Sequence, residues 1–178
     1  VLKREGITAT NLDAVSVASG PGSYTGLRIG VSTAKGLCFA LSIPLIAIDS
    51  LLSLYEIAAF DHPSKTIIPV IDARRMEVFS AVYGPNRQLM TGIAATVVDE
   101  TTFDSFLPFV SCGDGAEKLK EIWKNRAIEF DLEVQSSAKG QVKLAFEMNE
   151  KQNFEDVAYF EPFYLKDFIA GTPKPIQI

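Results

Sequence analysis

Ala18-Ser19-Gly20-Pro21-Gly22-Ser23-Tyr24-Thr25-Gly26-Leu27-Arg28-Ile29-Gly30 is the stretch that decides how this chain is read. Four of the eleven residues from Gly20 to Gly30 are glycine. Ahead of it, Asp13-Ala14-Val15-Ser16-Val17-Ala18 has the character of a short buried strand. Behind it, Leu27, Val31, Ala34, Cys38 and Leu41 recur at spacings of three and four, which predicts a helix over Tyr24 to Leu41. The glycine-rich turn therefore sits at a strand-to-helix junction. There the first N–H groups of the helix lack intrahelical partners and point outward, ready for a ligand or a surface contact.

Spacing excludes the two best-known phosphate loops. A Walker loop needs Gly-x4-Gly-Lys-Ser/Thr, but Thr25 stands five residues after Gly20, Leu27 five after Gly22, and no lysine follows until Lys35. The dinucleotide fingerprint needs Gly-x-Gly-x-x-Gly, and Gly20, Gly22 and Gly26 leave one residue too many in the second gap. An anion or nucleotide contact through Gly20, Gly22, Ser23, Thr25 and Arg28 stays open as a looser cradle. Arg28 would then complete the site; alternatively it is an interface charge.

Gly22, Gly26 and Gly30 recur every four residues on one helical face, and each glycine inside the helix costs roughly 1 kcal/mol relative to alanine. Two explanations offset that cost. The helix packs closely on its own sheet, or a partner's helix approaches it closely. The second reading names Tyr24, Gly26, Leu27, Gly30, Thr33 and Leu37 as partner-binding residues.

The chain has 178 residues, 47% of them hydrophobic, enough for one large core or two small ones. No apolar run reaches membrane-spanning length, since Leu41 to Leu54 is broken by Ser42, Pro44, Asp49 and Ser50. Cys38 and Cys112 are the only cysteines, so no disulfide framework exists and a reducing cytoplasm is expected. A net charge of −5 argues against unaided binding of nucleic acid. Val1 to Gly6 reads as the end of a helix closed by glycine, and the missing initiator Met predicts a natural start further upstream.

Further along, strands are expected at Thr66–Asp72, Met76–Tyr83 and Gln88–Val98, an antiparallel meander. A short helix near Thr101–Phe106, strand Phe109–Cys112, helix Ala116–Asn125, strand Ala127–Phe130 and a helix near Ser136–Met148 follow. The order is β-β-β-α-β-α-β-α. The first part, with strand Asp13–Ala18, helix Tyr24–Leu41, strand Leu45–Ile48 and helix Ser50–Phe60, is the same unit without its three opening strands. A duplicated βββαβαβα unit is the α/β architecture of the actin-like, sugar-kinase and Hsp70 (ribonuclease H-like) superfamily. Residues 1–61 are the first subdomain, 65–161 the second, and 162–178 an interdomain strap and tail. Phe154, Tyr159, Phe160, Phe163, Tyr164 and Phe168 are expected to pack beneath that strap.

At this point the residues resemble a named family, TsaB (YeaZ), the non-peptidase paralogues of the TsaD or glycoprotease-type threonylcarbamoyl-transferase. The Ser19–Gly30 block followed by Ala34-Lys35-Gly36-Leu37 resembles the family's Gly-Pro-Gly-Ser-Phe/Tyr-Thr-Gly-Leu-Arg block. Ile71-Asp72-Ala73-Arg74 with Glu77-Val78-Phe79 resembles its second signature. Pro162-Phe163-Tyr164-Leu165-Lys166 resembles its closing Pro-x-Tyr-Leu-Arg.

The resemblance implies a non-catalytic scaffold that activates a TsaD-type transferase in forming threonylcarbamoyladenosine (t6A) on tRNA. A TsaE-type ATPase would complete the assembly, and tRNA would be met only through the complex. A homodimer would form when the partner is absent. No cofactor is expected on this chain alone, although ATP or ADP would sit at the interface of the complex. Transferase-type relatives carry a metal-binding His-x-x-x-His pair; counting from Pro44, those positions fall on Ser50 and Leu54 here. Neither supplies an imidazole, so neither a catalytic residue nor a metal ligand is assigned. The single histidine, His62, is read as an exposed loop residue. Ser23 lacks the Gly-x-Ser-x-Gly frame of a nucleophile. Asp72, Arg74, Glu77 and Tyr164 are candidates for the cleft between subdomains, unless Asp72 only caps a turn and Arg74 pairs with it or with Glu77. The alternative function is a divergent glycoprotease-type peptidase or an actin-like nucleotide hydrolase.

Overall fold

Ser23 starts the first helix by accepting the Gly26 N–H on its side-chain oxygen at 3.3 Å, the geometry of an N-cap. The computed structural model describes residues 1–166. Strand β1 (Val15–Gly20) leads through the glycine turn into α1 (Tyr24–Leu41), then β2 (Leu45–Asp49) and α2 (Ser50–Asp61), which Asp49 caps through the Leu52 N–H at 2.7 Å. β1 and β2 are parallel, with Val15 opposite Leu45 and Ala18 opposite Ile48. Alternation then sorts their side chains between two layers. Leu45, with Val15 and Val17, packs on Ala34 and Cys38 of α1. Ile46 and Ile48 pack on Leu144 from the other side. Among the described residues the far edge of β1 has no strand partner.

A larger mixed sheet follows. β3 (Thr66–Asp72) pairs antiparallel with β4 (Glu77–Ser80) and β5 (Tyr83–Gly84), which pair with β7 (Ala94–Val97) and β6 (Gln88–Leu89) respectively. On its other edge β3 runs parallel to β8 (Phe109–Cys112), and β8 runs parallel to β9 (Ile128–Asp131). One face of this sheet packs Ile67, Val110 and Cys112 on Leu51, Leu54, Tyr55 and Ala58 of α2. The opposite face packs Ile68, Val70 and Phe109 around Trp123, whose Nε1–H donates to the Asp99 carbonyl at 2.9 Å. The last helix, α3 (Val142–Glu150), carries Leu144 and returns to β2.

The expected order of strands holds, while the helix predicted near Thr101–Phe106 is a single 3-10 turn, Asp104–Phe106. The predicted strands Met76–Tyr83 and Gln88–Val98 are each split in two. Val82 N–H donates to the Thr91 hydroxyl at 3.0 Å, so a side chain interrupts the ladder there. Ala116–Asn125 forms a short 3-10 stretch (Glu117–Leu119) and hydrogen-bonded turns, not a full helix, and carries Trp123 into the core at 1% exposure. Val1–Gly6 is a single hydrogen-bonded turn that closes as expected for a glycine-capped helix end, with Gly6 at φ +69 and the Ile7 N–H donating to the Leu2 carbonyl at 3.1 Å. His62 is not an exposed loop residue: its ring lies 3.0 Å from Asp131 Oδ2 and 3.6 Å from Glu129 Oε1, with only 12% of the side chain exposed. Cys38 and Cys112 are both buried, and burial pushes the Cys112 thiol far up. Of the aromatic residues near the end, Phe160 packs on the α1 layer while Tyr159 is 83% exposed; Phe168 lies outside the described residues.

Candidate functional site

The glycine turn and the start of α1 line a cavity of about 290 Å³ that faces the second sheet. Gly22, Ser23, Gly26 and Gly30 form one wall, while Ile71, Asp114 and Ser136 close it from the other side. Asp114 is its one charged lining group, and its Oδ1 accepts the Asp72 N–H at 3.0 Å. A phosphate chain placed there would meet a carboxylate and no cation, so these lining residues do not suit a nucleotide. Ser50, the first residue of α2, also lines the cavity, whereas Leu54 lies one turn on at 1% exposure in the core.

Gly20 does not take part in an open cradle. Its φ is +107, and a Cβ there would stand 2.6 Å from the Phe163 carbonyl oxygen. The Phe163 N–H in turn donates to the Ser19 carbonyl at 2.7 Å, so the segment after Glu161 is laid directly over the turn. Arg28 lies apart from Gly22 and Ser23. Its guanidinium sits 4.2 Å from the centre of the Tyr24 ring and its Nε–H donates to the Tyr164 hydroxyl at 3.3 Å. Tyr24 and Tyr164 stack with ring centres 4.8 Å apart. Thr25 is exposed at the helix start. Of the five residues proposed for an anion, only Gly22 and Ser23 line the cavity.

Asp72, Arg74 and Glu77 are not among the residues that line the cavity. Asp72 accepts the Arg74 N–H at 2.8 Å, closing a turn in which Arg74 and Arg75 both have positive φ. The ion pairs run elsewhere than expected: Asp72 pairs with Lys118, and Glu77 with Lys166 of the final segment. Lys118 also donates to the Arg75 and Glu77 carbonyls, at 2.9 and 2.7 Å. Asp114 and Lys118 were not expected as site residues. A usable signal existed, since Gly113-Asp114-Gly115 follows β8 just as the glycine turn follows β1.

Successive residues of a helix point about 100° apart, which divides α1 into three faces. Leu27, Val31, Ala34 and Cys38 are buried; at 8% exposure Leu27 faces inward and does not belong to an outer surface. Arg28 and Lys35 face the final segment, where Lys35 Nζ donates to the Ala158 and Phe160 carbonyls at 3.1 and 2.9 Å. The third face carries Gly26, Ile29, Gly30, Thr33, Gly36 and Leu37, with Ile29 63% and Leu37 40% exposed. Little in the chain's own packing requires those glycines. A Cβ on Gly30 would make an ordinary 3.7 Å contact with Val17, and one on Gly36 would meet nothing within 4 Å.

Among the described residues no helix is long and apolar enough to cross a membrane, and no three His, Cys, Asp or Glu side chains gather as a metal site.

The family model described as "TsaD: tRNA N6-adenosine threonylcarbamoyltransferase" matches residues 1–173. The chain is 39% identical over 120 residues to the tRNA threonylcarbamoyladenosine biosynthesis protein TsaB of Bacillus subtilis. That alignment covers 67% of this chain but 46% of the relative. To the protein of the same name from Escherichia coli it is 26% identical over 184 residues, covering 98% of this chain and 80% of the relative. YeaZ from Pseudomonas aeruginosa superposes with a TM-score of 0.78 at 24% identity, over 93% of this chain and 80% of that one, a likeness of fold. The parallel β1-α1-β2-α2 unit, the meander of β3 to β7 and the parallel β8–β9 pair, with that superposition and the family match, give the expected actin-like α/β fold. The chain belongs to the TsaD family of tRNA N6-adenosine threonylcarbamoyltransferases and, within it, to the TsaB (YeaZ) group.

Proposed function

We propose that this chain is a non-catalytic subunit that docks a TsaD-type threonylcarbamoyl-transferase and supports t6A formation on tRNA. The observation that carries this reading is the outer face of α1. Gly26, Gly30 and Gly36 cost helix stability without being needed by the chain's own packing, and Ile29 and Leu37 lie exposed beside them. A face of this kind lets a second helix approach closely and bury apolar area. The cleft chemistry agrees: Ser50 and Leu54 stand where the transferase-type histidines would be, and Leu54 has no donor atom.

In this reading Gly26, Gly30, Thr33 and Leu37 lie on the docking surface, whereas Tyr24, packed on Arg28 and Tyr164, points to the other side of α1. Residues 1–61 and 65–161 are the two subdomains, strapped by the segment from 162. A TsaE-type ATPase joins the cytoplasmic assembly, ATP or ADP binds at its interface, and tRNA is reached only through it. Without the transferase the same face pairs two copies of the chain.

The test is reconstitution. The full-length protein should co-elute with a TsaD-type transferase and raise the yield of t6A measured by mass spectrometry. Thr33→Arg, on an exposed position, should abolish both effects while leaving the melting temperature unchanged. Failure of the wild-type protein either to bind or to stimulate would overturn the reading.

A further inference from the structure

A second concavity, of about 400 Å³, runs along the opposite side of α1 from the docking face. One wall is Arg28, Ser32 and Lys35, at successive turns of the helix; the other is Phe160, Pro162 and Tyr164 of the final segment. Its volume lies within the range of small-ligand sites, which combine apolar walls with a few placed polar groups.

Arg28 is the placed group. The Tyr24 ring at 4.2 Å supports one face of the guanidinium, and the Tyr164 hydroxyl takes its Nε–H at 3.3 Å. Among the described residues, that bond leaves the two terminal amino groups with no hydrogen-bond acceptor of their own. A guanidinium fixed in this way is prepared for a two-pronged bond to an oxyanion. Ser32, one turn further on, offers a hydroxyl. Lys35 contributes charge but spends hydrogen bonds on the Ala158 and Phe160 carbonyls. Glu161 lines the same groove and opposes a ligand of high negative charge. Phe160 and Pro162 present apolar surface to the body of the ligand.

We infer that this groove binds a small organic carboxylate, carrying one negative charge on an aromatic or apolar body, with Arg28 holding the carboxylate. The site is separate from the docking face, and its ligand need not involve the transferase.

The test is titration of the full-length protein with benzoate, phenyl phosphate and inorganic phosphate, followed through the Arg28 Nε–Hε signal by NMR. Benzoate should shift that signal with a dissociation constant near or below about 10 mM, and more strongly than either phosphate. Arg28→Gln should weaken benzoate about tenfold or more, and Tyr164→Phe by a smaller factor, since it removes only the group that aims the guanidinium. Glu161→Gln should improve phenyl phosphate selectively, which keeps the proposal testable should Arg28→Gln disturb the final segment. Thr33→Arg should leave benzoate binding intact, separating this site from the docking face. No shift up to about 50 mM benzoate, or binding of inorganic phosphate in preference to benzoate, would overturn the proposal.

Discussion

Phe163 and Gly20 are packed backbone to backbone: the Phe163 carbonyl oxygen lies 2.6 Å from where a Cβ on Gly20 would stand, and its N–H is bonded to the neighbouring Ser19 carbonyl. The first glycine of the turn thus serves the final segment, which crosses from α1 to β4 through Tyr164 and the Lys166–Glu77 ion pair. Gly20→Ala combines a forbidden φ with a backbone clash, and should cost about 2–3 kcal/mol. Chemical denaturation will measure the loss, and limited proteolysis should cut faster between Glu161 and Lys166.

Gly36 gives the opposite expectation. It lies inside α1 with nothing within 4 Å of a Cβ, so Gly36→Ala should raise stability by about 0.5–1 kcal/mol through helix propensity alone. A fall in the denaturation midpoint would show that the chain's own packing needs this glycine.

Arg87 ties two helices to one turn. Its guanidinium bonds both oxygens of Glu56 on α2 and both oxygens of Glu147 on α3, while its N–H donates to the Tyr55 hydroxyl at 2.9 Å. Arg87→Met would leave two carboxylates facing each other. With the arginine side chain 25% exposed, we expect a loss of about 2 kcal/mol, below that of a fully buried pair. Amide exchange should quicken along α3 before it does in β3 and β8.

Acid should destabilise the fold through Asp99 and Glu147. Hydrogen bonds from Thr102 and Thr101 hold the Asp99 carboxyl down at about 2, and the Arg87 guanidinium lowers that of Glu147. A carboxyl lowered by folding contributes stability that is complete above its ordinary value near 4 and is lost as pH falls through the folded value. Asp99→Asn removes one such titration. Its stability between pH of about 4 and about 2 should therefore fall less steeply than that of the wild type, as read by urea midpoints across that range.

The local pattern was legible where one side chain or one periodicity decides an outcome. Helix α1 has the predicted ends, Tyr24 and Leu41, the three-and-four spacing of Leu27, Val31, Ala34 and Cys38 fills its buried face, and the Phe109–Cys112 run is a strand with the predicted ends. Hydrophobic period and cap chemistry act over a few residues, so they can be read from the chain alone.

Tertiary structure decided what depends on residues far apart in the chain. Only packing reveals that Gly20 lies under Phe163, that Asp72 pairs with Lys118 and not with Arg74, and that His62 is held by Asp131. It also separates Arg28 from Gly22 and Ser23 into different concavities, although all belong to one short motif. The helix repeat carries no record of which face meets which segment. That choice is made by long-range burial and pairing, whose free energy appears only when distant segments come together.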